Sequence, residues 1–421
     1  MQILAIVPII LIVAFVLGEL FKRLGLPSVV GQILAGILFG IPLFESVLFN
    51  DAPTLLIIDF LATLGILLLL FLAGLEIDIE KVKETSRDSI LISLSSAILP
   101  FILGFGFITI FFPQYGFLTA LIFGGALMVT SEGTKVKVLM DLNSLNTRLG
   151  AVMLAAGAID DVFEVLFLSI VVVMAKGGSF MELATVPLEM IIFIVIAFIS
   201  FKAISKILHH LDKHTKDETE LFSIVIIFIL VLAALSESLN VGYLIGAIIG
   251  GFLLQISMKG ISRRHKRALI TEIKLIALGF VVPFFFANVG LKFDISTIFS
   301  SIPLVIVTVI LAFVGKMLGT IMIKPFSSLN LKQLYYIGWA MNSRGAAELV
   351  IALIAFQYGL IPLEIYSALV AMSIITTLTF PPVLARGIKK TPKLMDVSSG
   401  KPKSRNNRKS KVAKKVNSSN A

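Results

Sequence analysis

The chain contains no cysteine, which excludes a disulfide framework, a thiolate metal site and a cysteine nucleophile. Four histidines leave little for a histidine-rich metal cage. Charge is scarce as well: 15% of the 421 residues are charged, against about 25% in soluble domains. Apolar residues make up 57%, and the mean hydropathy is +1.00. A water-soluble globular enzyme is thereby excluded, and any chemistry must rest on carboxylates, amines, hydroxyls and backbone. The net charge of +10 is concentrated at one end, because Arg386 to Ala421 holds twelve Lys and Arg against one acid.

Crossing about 30 Å of hydrocarbon takes about 20 apolar residues. Thirteen stretches qualify, at roughly 3–21, 27–41, 54–75, 89–112, 116–139, 149–175, 186–208, 220–238, 240–257, 268–290, 300–323, 332–357 and 363–385. Cytoplasmic segments accumulate Lys and Arg because these resist translocation. With the N-terminus outside, 32 of the 36 bases fall in cytoplasmic segments, Lys135 and Lys137 among them. Lys176 and Lys292 lie outside, and Lys316 and Arg344 within spans. The C-terminus is then cytoplasmic. Ile3 to Phe21 lacks a basic n-region and a cleavage site, so it reads as a retained helix.

Three pairs of segments recur in the same order. Gly31-Gln-Ile-Leu-Ala-Gly-Ile-Leu38 matches Gly246-Ala-Ile-Ile-Gly-Gly-Phe-Leu253 at an offset of 215. Gly74-Leu-Glu-Ile-Asp78 matches Gly290-Leu-Lys-Phe-Asp294 at 216, and Thr130-Ser-Glu-Gly133 matches Asn342-Ser-Arg-Gly345 at 212. The offset spans an odd number of helices, so the second copy enters the membrane from the other side. Such an inverted-topology repeat is the architecture of many secondary transporters, whose sites lie near the midplane where helices are broken. Thr130 to Thr134 and Asn342 to Ala346 put polar and Gly residues mid-span, where backbone groups can stay unpaired only if they line a cavity. These are the two candidate broken helices. The expected fold is an all-α polytopic membrane protein of about 13 transmembrane helices, an inverted repeat with two broken helices crossing near the midplane. Residues 1–388 form the transmembrane domain, with repeats at about 1–175 and 220–388, and 389–421 a basic, disordered cytoplasmic tail.

Ionisable groups inside such spans are costly and mark function. Asp160 and Asp161 lie at the middle of the span 149–175, and two adjacent carboxylates cannot both ionise cheaply without a cation. The second copy has Ser373 and Ile374 there, so the scaffold does not demand the pair. Glu164, one turn on, is either a third cavity carboxylate or a protonated packing residue. Lys316 is the natural counter-charge, with snorkelling to the headgroups as the alternative. Arg344 either neutralises Glu348, four residues away, or reaches Glu76. A carboxylate that holds a proton or a small cation, but not both, is a minimal exchange site, and freed half-helix carbonyls supply further oxygen ligands.

These residues resemble the monovalent cation:proton antiporters, which include bacterial sodium–proton antiporters and Kef-type potassium efflux proteins. The resemblance covers about residues 1–388. It rests on Leu26-Pro-Ser-Val-Val-Gly-Gln-Ile-Leu-Ala-Gly36, Phe71-Leu-Ala-Gly-Leu-Glu76, Thr130-Ser131, Asp160-Asp161, Pro283-Phe-Phe-Phe286 with Gly290-Leu291, and Gly315-Lys316. It implies that Asp161 binds the cation or proton, that Asp160 pairs with Lys316 in one protonation state, and that Thr130 and Ser131 line the crossing, with Asn342 at the matching place in the second copy. It also implies a core domain sliding against a dimerisation domain, a homodimer in the plasma membrane, and, from the Asp-Asp pattern, electrogenic exchange of sodium or lithium. Glu164 and the Arg344/Glu348 pair depart from that pattern and keep potassium as an alternative. No Gly-rich nucleotide-binding unit follows Arg386.

No cofactor is expected, because the metal ion at Asp160 and Asp161 is cargo. Membrane lipid is the expected surrounding, with anionic lipid a candidate partner for the tail, and nothing points to nucleic acid. The four histidines are assigned to cytoplasmic loops. An intramembrane aspartyl protease needs aspartates on different helices, whereas these are successive on one, about 100° apart. A passive channel has no need of a titratable site coupled to a lysine. A sodium-coupled solute symporter on a similar fold is the remaining rival.

Overall fold

Within hydrocarbon a backbone must satisfy its own N–H and C=O groups, and the apolar runs of this chain do so as helices. The computed structural model describes residues 3–49, 52–76, 87–130, 135, 139, 144, 147–175, 186–214, 218–239 and 241–390. The first half runs α1 (Ile3–Arg23), α2 (Ser28–Phe39), α3 (Pro42–Leu48), α4 (Ala52–Glu76), α5 (Arg87–Phe111), α6 (Gly116–Met128) and α7 (Arg148–Ala175). There follow α8 (Val186–His214), α9 (Glu218–Ser238), α10 (Tyr243–Ser257) and α11 (Arg263–Ile276). A turn of π-helix, Ala277–Val281, joins α11 to α12 (Val282–Leu291). The chain ends with α13 (Ile295–Ser300), α14 (Ile302–Met322), α15 (Leu331–Met341), α16 (Ala346–Gln357) and α17 (Leu363–Lys390). Among the described residues nine helices are long and apolar enough to cross a membrane, with shorter apolar helices such as Ser28–Phe39 beside them. No strand occurs among the described residues. The tail beyond Lys390 lies outside them.

The sequence repeat reappears as reciprocal backbone crossings. A Cβ on Gly36 in α2 would meet the backbone of Ala287 in α12, and one on Gly290 in α12 would meet the backbone of Ile33 in α2. A second crossing repeats the arrangement. Gly251 in α10 lies against the Phe71 backbone of α4, and Gly74 in α4 against Ile248 of α10. Gly36 and Gly251 are 215 residues apart, and Gly74 and Gly290 are 216 apart. Glycine recurs there because only its lack of a side chain lets the helices approach to backbone contact, as in small-residue interfaces of membrane helices.

Around these crossings α1, α2, α4, α9, α10 and α12 pack in succession. A second set forms around α5 and α14, whose neighbours are α6, α7, α15 and α17, with α16 against α6, α7 and α17. The Tyr366 hydroxyl of α17 donates to the Val289 carbonyl of α12 at 2.7 Å, tying the sets together. The second expected helix break is seen, and of the first the start is seen, residues 131–134 lying outside the described ones. The first ends α6 at an extended Val129, and the second runs from Asn342 to Gly345 between α15 and α16.

The histidines sit in helices rather than loops: His209, His210 and His214 in α8, His265 in α11. His265 is 8% exposed because its Nδ1 lies 2.6 Å from the Asp212 carboxylate of α8. Lys135 also departs from the cytoplasmic segment assigned to it. It is fully buried, its Nζ 3.5 Å from the Met153 carbonyl and 3.7 Å from Met341 Sδ. Burial of its whole stem on the second side of the break outweighs the pull of its charge toward water.

Candidate functional site

A helix that stops inside a membrane leaves its last carbonyls without intrahelical partners and carries a partial negative charge there. At the end of α6 two buried cations take up that charge. The Arg344 guanidinium donates to the carbonyls of Ala126 at 3.0 Å and Leu127 at 2.7 Å, and to that of Val129. Lys316 Nζ donates to the Met128 carbonyl between them. Lys316 and Arg344 are both 0% exposed, so Lys316 does not snorkel to the headgroups.

Lys316 reaches across to the Thr130 hydroxyl at 2.6 Å. That hydroxyl donates a hydrogen bond to Asp160 Oδ2 at 2.8 Å, while Lys316 Nζ itself lies 3.8 Å from the same oxygen. The other carboxylate oxygen, Oδ1, accepts from the Ser93 hydroxyl of α5 at 2.5 Å. Asp160 is 3% exposed, and four elements converge on it: α5, the first break, α7 and α14. Both carboxylate oxygens of Asp160 are thus occupied by hydroxyl donors, with the Lys316 side chain beside one of them. The Thr130 hydroxyl also lies 3.4 Å from the Met341 carbonyl at the end of α15, which brings the two breaks together.

The second break is furnished differently. Glu348 Oε1 accepts from the Gly345 backbone N–H at 2.8 Å and from the Ser373 hydroxyl at 2.7 Å. It thus places a carboxylate at the positive N-terminal end of α16. Arg344 and Glu348 feel each other's charge without direct contact among the described residues, and each also caps a helix end, the two ends being of opposite polarity. Asn342 donates Nδ2 back to the Gly338 carbonyl at 2.9 Å. Among the described residues its Oδ1, like Glu348 Oε2 and Arg344 Nε, is buried without a hydrogen-bond partner. Asp161 follows Asp160 in α7, and its side chain lies outside the described residues, as do Ser131 and the side chain of Glu76. The described partners of Arg344 include the α6 carbonyls, and the expected contact with Glu76 lies outside the described residues. Glu164, one turn beyond Asp160, is half-buried.

A family profile described as "Sodium/hydrogen exchanger, transmembrane" matches residues 9–386. The chain belongs to that family. This exchanger is 28% identical to a Na+/H+ antiporter of Enterococcus hirae, over 93% of this chain and 99% of the relative. It is likewise 28% identical to a Na+/H+–K+ antiporter of Bacillus cereus, over 90% of this chain and 94% of the relative. Its fold is similar to the solved structure of a sodium proton antiporter from Methanocaldococcus jannaschii, with a TM-score of 0.68 at 14% identity, covering 94% and 97% of the two chains.

Three participants in the exchanger's polar centre escape sequence reasoning. Ser93 belongs to a buried stripe, Ser89, Ser93 and Ser96, whose spacing marks one helix face. Ser96 returns its hydroxyl to its own helix at the Ser93 carbonyl, whereas Ser93 gives its proton to another helix. Lys135 is hidden by its proximity to Lys137, and the carbonyl targets of Arg344 carry no side-chain signal.

Proposed function

We propose that the chain is a secondary active antiporter that exchanges sodium or lithium for protons across the cell membrane. It works by alternating access, with cation and proton competing at Asp161. The single observation that carries this reading is the Asp160 carboxylate, buried at the meeting of two helix breaks, held by Ser93 and Thr130 and 3.8 Å from Lys316. A charge so placed repays its desolvation only with partners, and a cation arriving at the neighbouring Asp161 changes that balance. The α6 carbonyls are already committed to Lys316 and Arg344. The oxygens proposed for a cation are those of the aspartates, Thr130, Ser131 and the second break, where among the described residues Asn342 Oδ1 has no hydrogen-bond partner.

The names of the relatives support sodium, and that of the Bacillus cereus protein also includes potassium. We further propose that exchange is electrogenic, that the protein is a homodimer whose core set of helices slides against the other set, and that its N-terminus is outside and its C-terminus cytoplasmic. The test is dequenching of an internal pH dye in proteoliposomes holding a preset proton gradient. Sodium, lithium and potassium salts are added in turn, with Asp161→Asn as control. Dequenching by sodium and lithium that the variant lacks is the expected result. Dequenching by potassium alone would transfer the reading to potassium–proton exchange. No response to any of the three would move it to a solute symporter.

A further inference from the structure

We propose that the exposed face of α11 is a binding site for the headgroup of an anionic phospholipid. A cleft of about 660 Å³ opens there, lined by Arg263, Arg264, Arg267, Ala268, Thr271 and Glu272. The three arginines are exposed, and with Glu272 they leave the lining a formal charge of +2. Arginine presents a planar fork of donors that matches a phosphodiester bidentately, and basic pockets at the ends of membrane helices take acidic headgroups.

What commits the cleft to a lipid is the continuation of the same face. Arg264, Arg267, Thr271 and Leu275 follow at spacings of three, four and four, so they lie along one side of the helix. Leu275 is 66% exposed, and beyond it Leu278 and Phe280 are 48% and 43% exposed. At 1.5 Å per residue Leu275 lies about 16 Å along the axis from Arg264. The face therefore passes from arginines to a hydroxyl to bare hydrocarbon over the depth that separates a headgroup from its acyl chains. A soluble anion has no use for the apolar half, and an uncharged lipid has none for the arginines.

The opposite side of α11 is fixed. Leu269 and Ile273 are 1% exposed, Ser262 caps the helix by accepting from the His265 backbone N–H, and His265 and Ser262 both engage Asp212 of α8. The arginine-bearing face is thus turned outward by the packing behind it.

The test uses the full-length protein, purified and delipidated in detergent, with its melting temperature read as phosphatidylglycerol or cardiolipin is added. Phosphatidylcholine and inorganic phosphate serve as comparison arms. Anionic lipid should raise the melting temperature in a saturable way, and neither comparison arm should. Arg264→Gln with Arg267→Gln should weaken the apparent lipid affinity about twenty-five-fold, at about fivefold per arginine. Lys22→Gln with Arg23→Gln, exposed bases elsewhere, should leave it unchanged. If the double arginine variant does not fold, Ala268→Leu, which fills the cleft and removes no charge, should abolish the shift. The proposal is overturned by an equal shift with phosphatidylcholine, by an equal shift with inorganic phosphate, or by a full anionic-lipid shift in the variants. A variant that keeps the lipid shift but loses self-association would identify the face as a subunit contact and overturn it too.

Discussion

Replacing Lys316 by methionine removes a buried ammonium while nearly keeping its volume. The perturbation deletes a contact of 3.8 Å to Asp160, a 2.6 Å hydrogen bond to Thr130 and the donor to the Met128 carbonyl. At an effective dielectric of about 20, charges at that separation attract by about 4 kcal/mol. Removing one partner of a buried pair costs about 3–5 kcal/mol, because the other charge is left desolvated. At about 2.1 cal/mol/K per residue, unfolding the membrane domain as one unit carries an entropy near 0.8 kcal/mol/K, so the expected fall in melting temperature is about 5 °C. Adding Asp160→Asn removes the stranded charge while keeping an oxygen for Ser93 and Thr130. The double variant should therefore melt above Lys316→Met alone, although it carries one more substitution. Melting in detergent followed by fluorescence size-exclusion measures both. A Lys316→Met protein that melts within about 1 °C of the parent, or a double variant at the sum of the two single losses, would refute the reasoning.

Asp161→Asn should abolish cation-dependent dequenching in proteoliposomes while leaving the melting temperature within about 2 °C, an ordinary effect for a near-isosteric change. Arg344→Met should lower stability by about 3 kcal/mol by stripping three carbonyls of a charged donor, read as loss of monodisperse protein on mild heating. Arg344→Lys should recover only part of that, because a single ammonium cannot replace the fork. Gly36→Ala should prevent recovery of folded protein, since its Cβ meets the Ala287 backbone, whereas Gly106→Ala, with nothing within 4 Å, should be neutral in the same expression assay.

The helices, the two breaks and the repeat were legible because each is written in side chains: long apolar runs, polar interruptions, and glycines at matching offsets. Lys316 opposite Asp160 was legible because two opposite charges in apolar spans have few places to go. The contacts that turn on backbone were not. Arg344 looks in the sequence as though it needs a carboxylate, and Glu348 four residues on looks like one. The structure gives Arg344 the carbonyls of α6 and Glu348 an N–H and a hydroxyl. Ser93 is hidden differently, since a serine that returns its proton to its own helix and one that gives it to a carboxylate have the same local sequence. Lys135 was misplaced because a charge count treats any base near a span's end as a loop residue.

The repeat duplicates the scaffold without duplicating the chemistry. Its glycine crossings each pair one helix from each copy, α2 with α12 and α4 with α10. Yet where the first copy has Asp160, the second has Ser373, and where the first has Glu132 the second has Arg344. Had both copies kept the aspartate, two carboxylates would meet near one crossing and raise the cost of ionising either. Instead the second copy supplies positive charge to the α6 end and a serine for Glu348, both directed at helix termini. Asp160 is left as the carboxylate joined through Thr130 to the buried Lys316. If the two copies are inverted, as the sequence offset suggests, the substitution of one copy's acid leaves a single aspartate at the crossing. A single centre is what competition between proton and cation requires, because coupling is lost when each ion has a carboxylate of its own.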